Sequence, residues 1–186
     1  MFGTFYNNLL VKTQQTIFLS KIVQPLNSFT RVLVVFTPNA TLEPGFKRSI
    51  IKVIGILKQI GNNSVIFADY KTTTQFKTTI NDKNSSFYTY NTLENFEHID
   101  DIITNEIKSD DLVLIISARK QTVSHNFNVD NLQNYLIKNR EFQSFIVLYP
   151  EIVEATLSNE FSDIATAPAS ENIEKIKERI TGIFKK

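Results

Sequence analysis

The sequence predicts an open α/β fold: a five-stranded parallel sheet in the order 3-2-1-4-5, with helices on both faces. Three observations carry this expectation. First, short apolar runs stand at Val32-Leu33-Val34-Val35-Phe36, Val65-Ile66-Phe67-Ala68, Leu112-Val113-Leu114-Ile115-Ile116 and Phe145-Ile146-Val147-Leu148-Tyr149. Runs without polar alternation suit strands that are covered on both faces. Second, apolar residues between the runs recur at helical spacing. Third, strands that alternate with helices call for crossover connections, which are right-handed in a common sheet.

The elements follow in chain order. Leu9-Leu10-Val11 and Thr16-Ile17-Phe18-Leu19 read as strand-like, and Gln24-Pro25-Leu26-Asn27 breaks the pattern. Residues 1–28 therefore form a connecting segment with short strands, before an α/β domain over 29–150. In the first helix of that domain Phe46, Ile50, Val53, Ile54, Leu57 and Ile60 make one stripe. Pro44 suits its first turn and Gly61 its stop. Tyr70 to Ile80 is a helix rich in threonine, and Ser86 to Tyr90 is an outer strand. Phe96, Ile99, Ile103 and Ile107 form the next stripe, and Val129, Leu132, Tyr135 and Leu136 the last. Residues 151–186 form an extension with a terminal helix capped by Ser170. Its Ile173, Ile176, Ile180 and Ile183 should pack on this domain or on a partner. Glu171, Glu174 and Glu178 argue against a membrane-surface helix.

Composition excludes several function classes. The 186 residues hold 20 basic and 19 acidic side chains, so nothing in the overall charge favours nucleic acid or an anionic membrane. The chain has no cysteine, which removes disulfides, zinc-thiolate sites and thiol nucleophiles. No apolar run approaches the roughly 18 residues of a membrane span, and the start lacks a signal-peptide order. The chain as given is expected to be soluble and cytoplasmic.

No motif points to catalysis. Glycine-rich phosphate loops and the serine-hydrolase elbow are both missing from the sequence. Asp100-Asp101 and Asp110-Asp111 read as solvated charge, as does His98 among its acidic neighbours. No catalytic residue, metal or cofactor is expected. The segment from Ser117 to Asn126 follows the strongest strand, where ligands of open α/β sheets bind. Its Ser117, Arg119, Lys120, Thr122, Ser124 and His125 could hold an anion. The plainer reading, which is preferred, is a polar connection on the surface.

A resemblance adds to this. Asp111-Leu112-Val113-Leu114-Ile115-Ile116-Ser117-Ala118-Arg119 resembles the aspartate-led strand and following Gly-Ser-Arg segment of universal stress proteins, whose fold is adenine nucleotide alpha hydrolase-like. Phe145 to Pro150 resembles their last strand. Gln24-Pro25-Leu26-Asn27, Arg31 to Ala40, Ile115 to Ser124 and Phe145 to Glu151 are similar to the universal-stress-protein-like cytoplasmic domain of some bacterial cation:proton (Na+/H+) antiporters. The resemblance covers roughly Leu9 to Glu151. It implies a non-catalytic regulatory or accessory domain on the cytoplasmic side of the inner membrane. Its partner would be the membrane transport domain of the same polypeptide, with residues 1–28 coming down from the membrane. The alternative is a stand-alone universal-stress-type protein that binds a nucleotide or another small anion. Family likeness adds Thr37 and Asn39 to the candidate ligand residues. Thr37 stands where nucleotide-binding members carry aspartate, and no glycine occurs between Gly61 and Gly182. Tight ATP binding is therefore not expected. Such domains commonly pair through the last strand, so a homodimer across an open edge at Ser144–Tyr149 is a further expectation, the alternative being that the N-terminal strands or the C-terminal helix cover that edge.

Overall fold

The computed structural model describes residues 8–61, 63–80, 85–139 and 143–152. The terminal helix expected around Ser170 to Ile183 lies outside the described residues.

Six strands form one mixed sheet. They are β1 (Ile17–Lys21), β2 (Arg31–Phe36), β3 (Asn63–Ala68), β4 (Tyr88–Thr92), β5 (Asp111–Ile116) and β6 (Ser144–Tyr149). Their spatial order is β1-β6-β5-β2-β3-β4. Strands β2 to β6 run parallel to their neighbours, while β1 pairs antiparallel with β6 from Ile17 opposite Tyr149 to Lys21 opposite Phe145. The helices are α1 (Phe46–Ile60), α2 (Tyr70–Ile80), α3 (Ile99–Glu106) and α4 (Phe127–Asn139).

Three expectations are corrected. The sheet has six strands rather than five and is not wholly parallel, because Ile17–Lys21 joins it from the supposed connecting segment. Ser144–Tyr149 is not an edge, since β1 covers it. Two copies could pair through β6 only by displacing β1. Residues 8–12 are helical rather than extended, closed by Thr13 N–H donating to the Leu9 carbonyl at 3.1 Å.

Alternate side chains of the central strands enter two cores. Val32, Val34, Phe36, Leu112, Leu114 and Ile116 pack beneath α1 and α2 with Ile50, Val53 and Phe76. Leu33, Val35, Val113, Ile115 and Val147 pack on the other face with Ile99, Ile103, Leu132 and Leu136 of α3 and α4. Strand β2 sits between β3 and β5, and its Val32 to Phe36 have no exposed surface.

Local chemistry sets the helix ends. Helix α1 stops at Gly61, whose φ of 72° is left-handed and whose N–H reaches the Leu57 carbonyl at 3.0 Å. Its start is shifted from the expected one: Gly45 is the N-cap, and Pro44 precedes it. Threonine-rich α2 forms because Asp69 accepts the Thr72 N–H at 2.8 Å, while Phe76 and Ile80 are buried.

Gly45 is needed for space. A Cβ there would collide with the backbone oxygen of Glu151, whose carboxylate pairs with Arg48 and Lys52. Gly45→Ala should therefore cost about 1–3 kcal/mol of stability, as overpacking does. Urea unfolding checks this, and an unchanged midpoint would contradict the close approach.

At the opposite end of the sheet, Thr30 Oγ1 donates to Asp110 at 2.7 Å. That bond holds the Asp110 carboxyl below its usual range. A depressed carboxylate pKa contributes stability above the unfolded pKa and loses it as pH falls through the folded one. Thr30→Val should thus be less stable than the parent at neutral pH. The gap should close as pH drops below the carboxylate range. A gap independent of pH, measured by urea unfolding across that range, would rule this out.

Candidate functional site

The candidate residues gather at the carboxyl ends of β2 and β5. These neighbours lead into crossovers on opposite faces, the place where open α/β sheets leave a crevice. Burial continues past the strand, so that every residue from Asp111 to Arg119 is buried. The chain then turns sharply: Thr122 N–H returns to the Arg119 carbonyl at 3.2 Å, His125 N–H to the Thr122 carbonyl at 3.2 Å, and Gln121 takes a φ of 74°.

Half of the predicted donors, Thr37, Ser117, Arg119 and Ser124, are buried. Arg119 is only 6% exposed. Its guanidinium donates to four backbone carbonyls: Pro150 at 3.2 Å, Thr13 and Gln15 at 2.6 Å each, and Leu10. Three of these lie in one short N-terminal stretch. A second tie joins the same pieces, because Ile152 N–H donates to the Gln14 carbonyl at 2.7 Å. Arg119 is thus a clasp that fastens residues 10–15 to the end of the sheet. Its rigid fork of five donors suits such a role.

Ser117 accepts from Gln133 Nε2 at 2.7 Å, and Gln133 Oε1 accepts from the Tyr149 hydroxyl at 2.7 Å. This buried chain ties α4 to β5 and β6. Thr37 is also buried, and its hydroxyl donates to the Ser124 carbonyl. Asn39 adopts a left-handed φ of 56°, with its N–H held by Asp69 at 2.9 Å. Ser124 donates both its N–H, at 3.1 Å, and its hydroxyl to one oxygen of Glu43.

Four candidates remain nearer the surface, exposed Asn39 among them. Lys120 is exposed. The Thr122 hydroxyl donates to the Arg119 carbonyl at 2.9 Å. The half-buried His125 places Nε2 2.9 Å from Asp130 on α4. His98, by contrast, is exposed beside Asp101.

Two clefts flank the turn. One of about 510 Å³ lies between it and the N-terminal segment, lined by Leu10, Val11, Arg119, Lys120, Gln121, Thr122 and Ile152. Another of about 380 Å³ lies on its other side, where Leu42, Glu43, Pro44 and Val123 form part of the wall. The structure therefore brings Ser117, Arg119, Lys120, Thr122, Ser124 and Thr37 to one end of the sheet, with their side chains aimed in different directions.

Sequence reasoning missed Glu43, which meets Ser124 across 81 positions, and missed the carbonyls that engage Arg119. One signal was present for Arg119: it directly continues a run in which every residue is apolar or small. Among the described residues no group of three or more His, Cys, Asp or Glu could hold a metal ion. Among them, too, no helix is long and apolar enough to cross a membrane. Comparison with protein-family models, with curated proteins and with solved structures finds no match to this chain.

Proposed function

We propose that the chain is a non-catalytic regulatory or accessory domain of a bacterial cation:proton antiporter, held at the cytoplasmic face of the inner membrane. The ion-carrying groups then belong to a membrane domain of the same polypeptide. The transport part of this reading rests on the resemblance over residues 9–151, and the observation that fits it is the Arg119 clasp. On this reading the N-terminal segment is the connection from the membrane part. Its backbone is fastened to the 117–125 turn through Arg119 and through Ile152. A change at the turn would alter the hold on the connection, and tension on the connection would be felt at the turn. Coupling of this kind needs two elements that share contacts, and here they share a buried cation.

The test has two parts. The reading frame upstream of Met1 should encode a series of membrane-spanning helices; a frame without them sinks the proposal. In vesicles that contain the full-length protein, Arg119→Ala should change the ion or pH dependence of exchange while the amount of inserted protein stays the same. Unaltered exchange would remove the regulatory role.

A second reading is a stand-alone universal-stress-type protein that binds a nucleotide or another small anion. What favours it is the exposed Lys120 beside a cleft of about 510 Å³ at the carboxyl ends of the strands. Calorimetric titration separates the two. Micromolar ATP affinity lost in Lys120→Ala would put the second reading ahead.

A further inference from the structure

We infer that Ser124 and the turn around it form an oxyanion receptor that the chain keeps closed with its own Glu43 carboxylate. Ser124 is 1% exposed, yet both of its donors point at one side-chain oxygen from a distant segment. Buried donors must be satisfied, and in the central strands the backbone satisfies itself. Here a carboxylate does so, through two charge-assisted bonds.

The backbone that carries the Ser124 N–H is fixed independently of Glu43. The Thr37 hydroxyl holds the Ser124 carbonyl from the end of β2. The two successive turns with a left-handed Gln121 set the path of the chain. Withdrawal of Glu43 would therefore leave the N–H aimed at the vacated point, with the hydroxyl beside it free to turn to a new acceptor. Such preorganisation spares a ligand much of the ordering cost.

Glu43 is able to withdraw. It follows the short turn Ala40–Leu42, its side chain is partly exposed, and it borders the cleft of about 380 Å³. Charge around the vacated point also suits an anion. Arg119 lines the cleft, and the carboxylate of Glu151 in the same wall is paired with Arg48 and Lys52. The ligand class is a small oxyanion, either a phosphate or a carboxylate, that makes the bonds Glu43 now makes. The inference does not depend on the antiporter reading, and its probe differs from the ATP that tests the second reading.

The apparent affinity of a closed receptor falls by the fraction of molecules that are open, so a plug engaged nine times in ten costs about tenfold. Inorganic phosphate and acetate are titrated separately at constant ionic strength, with the Ser124 amide followed by NMR. Glu43→Ala should bind one of them at least about tenfold more tightly than the parent protein. Adding Ser124→Ala, which removes the hydroxyl and keeps the N–H, should cut the gain, with the weaker binding read at the amide of Val123. The anion that binds more tightly identifies the class. If Glu43→Ala does not fold, Glu43→Gln removes the charge while keeping the shape, and should give a smaller gain in the same direction. The inference is overturned if the Ser124 amide of a folded Glu43 variant moves with neither anion. It is equally overturned if variant and parent respond alike.

Discussion

Arg119→Ala should lower the stability of the domain by about 3 kcal/mol and release residues 10–15 from the end of the sheet. The size follows from what the guanidinium does. Hydrogen bonds to a charged group contribute about 1.5–3 kcal/mol each, but they are not additive when one side chain makes them all. Truncation also leaves the carbonyls of Thr13, Gln15 and Pro150 without this donor in a partly buried place. The carbonyls near the surface can turn to water, which keeps the loss below the sum of the bonds. Amide exchange should show the release directly. Protection in the helical turn at residues 8–12 and in the stretch that follows should fall, while the amides of β2 and β5 keep theirs. Arg119→Lys retains the charge and loses the fork, so it should fall between the parent and the alanine variant. Unchanged protection at residues 10–15 in Arg119→Ala would show that the carbonyls are held by something else, and the coupling proposed for the N-terminal connection would go with it.

The same arginine shows what was legible in the sequence and what was not. Apolar runs at Val32–Phe36 and Leu112–Ile116 marked central strands because strands covered on both faces have no polar alternation to blur them. Strand β1 left a weaker trace. Only Ile17 in it is buried, Phe18 is 46% exposed, and its antiparallel pairing with β6 spans most of the chain. No local pattern announces a partner that far away. Leu9 to Val11 looked extended because three apolar residues in a row carry no period, and short runs do not separate helix from strand. At the candidate site, the residue types pointed to polar bonding but not to its direction. Arg119, Ser117, Ser124 and Thr37 have the donors of a ligand site and use them on the protein itself. Whether an arginine after a buried strand faces a ligand or a backbone depends on which segment crosses above it, and in this fold residues 10–15 do.

A larger loss is expected from Asp111→Ala, at about 3–4 kcal/mol. Asp111 begins β5 with no exposed surface and takes Arg31 in a two-pronged grip, at 3.0 Å from Nε and 2.7 Å from Nη2. It also accepts the Lys108 N–H at 2.8 Å, so the carboxylate organises the turn that leads into its own strand. The bond to Asp111 is the main reason the Arg31 guanidinium holds its proton even more firmly than usual. Removal of one member of a buried pair leaves the other charge without compensation, which costs more than the pair itself contributes. Arg31 moderates the loss in three ways: its side chain is 21% exposed, it keeps the Glu106 carbonyl at 2.8 Å, and the Glu106 carboxylate stands 3.7 Å from its Nη1. The pair joins neighbouring central strands, since Arg31 lies opposite Asp111 in the register of β2 and β5. Its loss should therefore be felt as global unfolding, read as a lower urea midpoint with an unchanged slope. The double variant Arg31→Leu/Asp111→Leu supplies the decisive comparison. If the cost of Asp111→Ala comes from a stranded charge, removing both charges should recover much of it. A double variant no more stable than Asp111→Ala would place the cost in the Lys108 turn instead, and Arg31 would be a bystander.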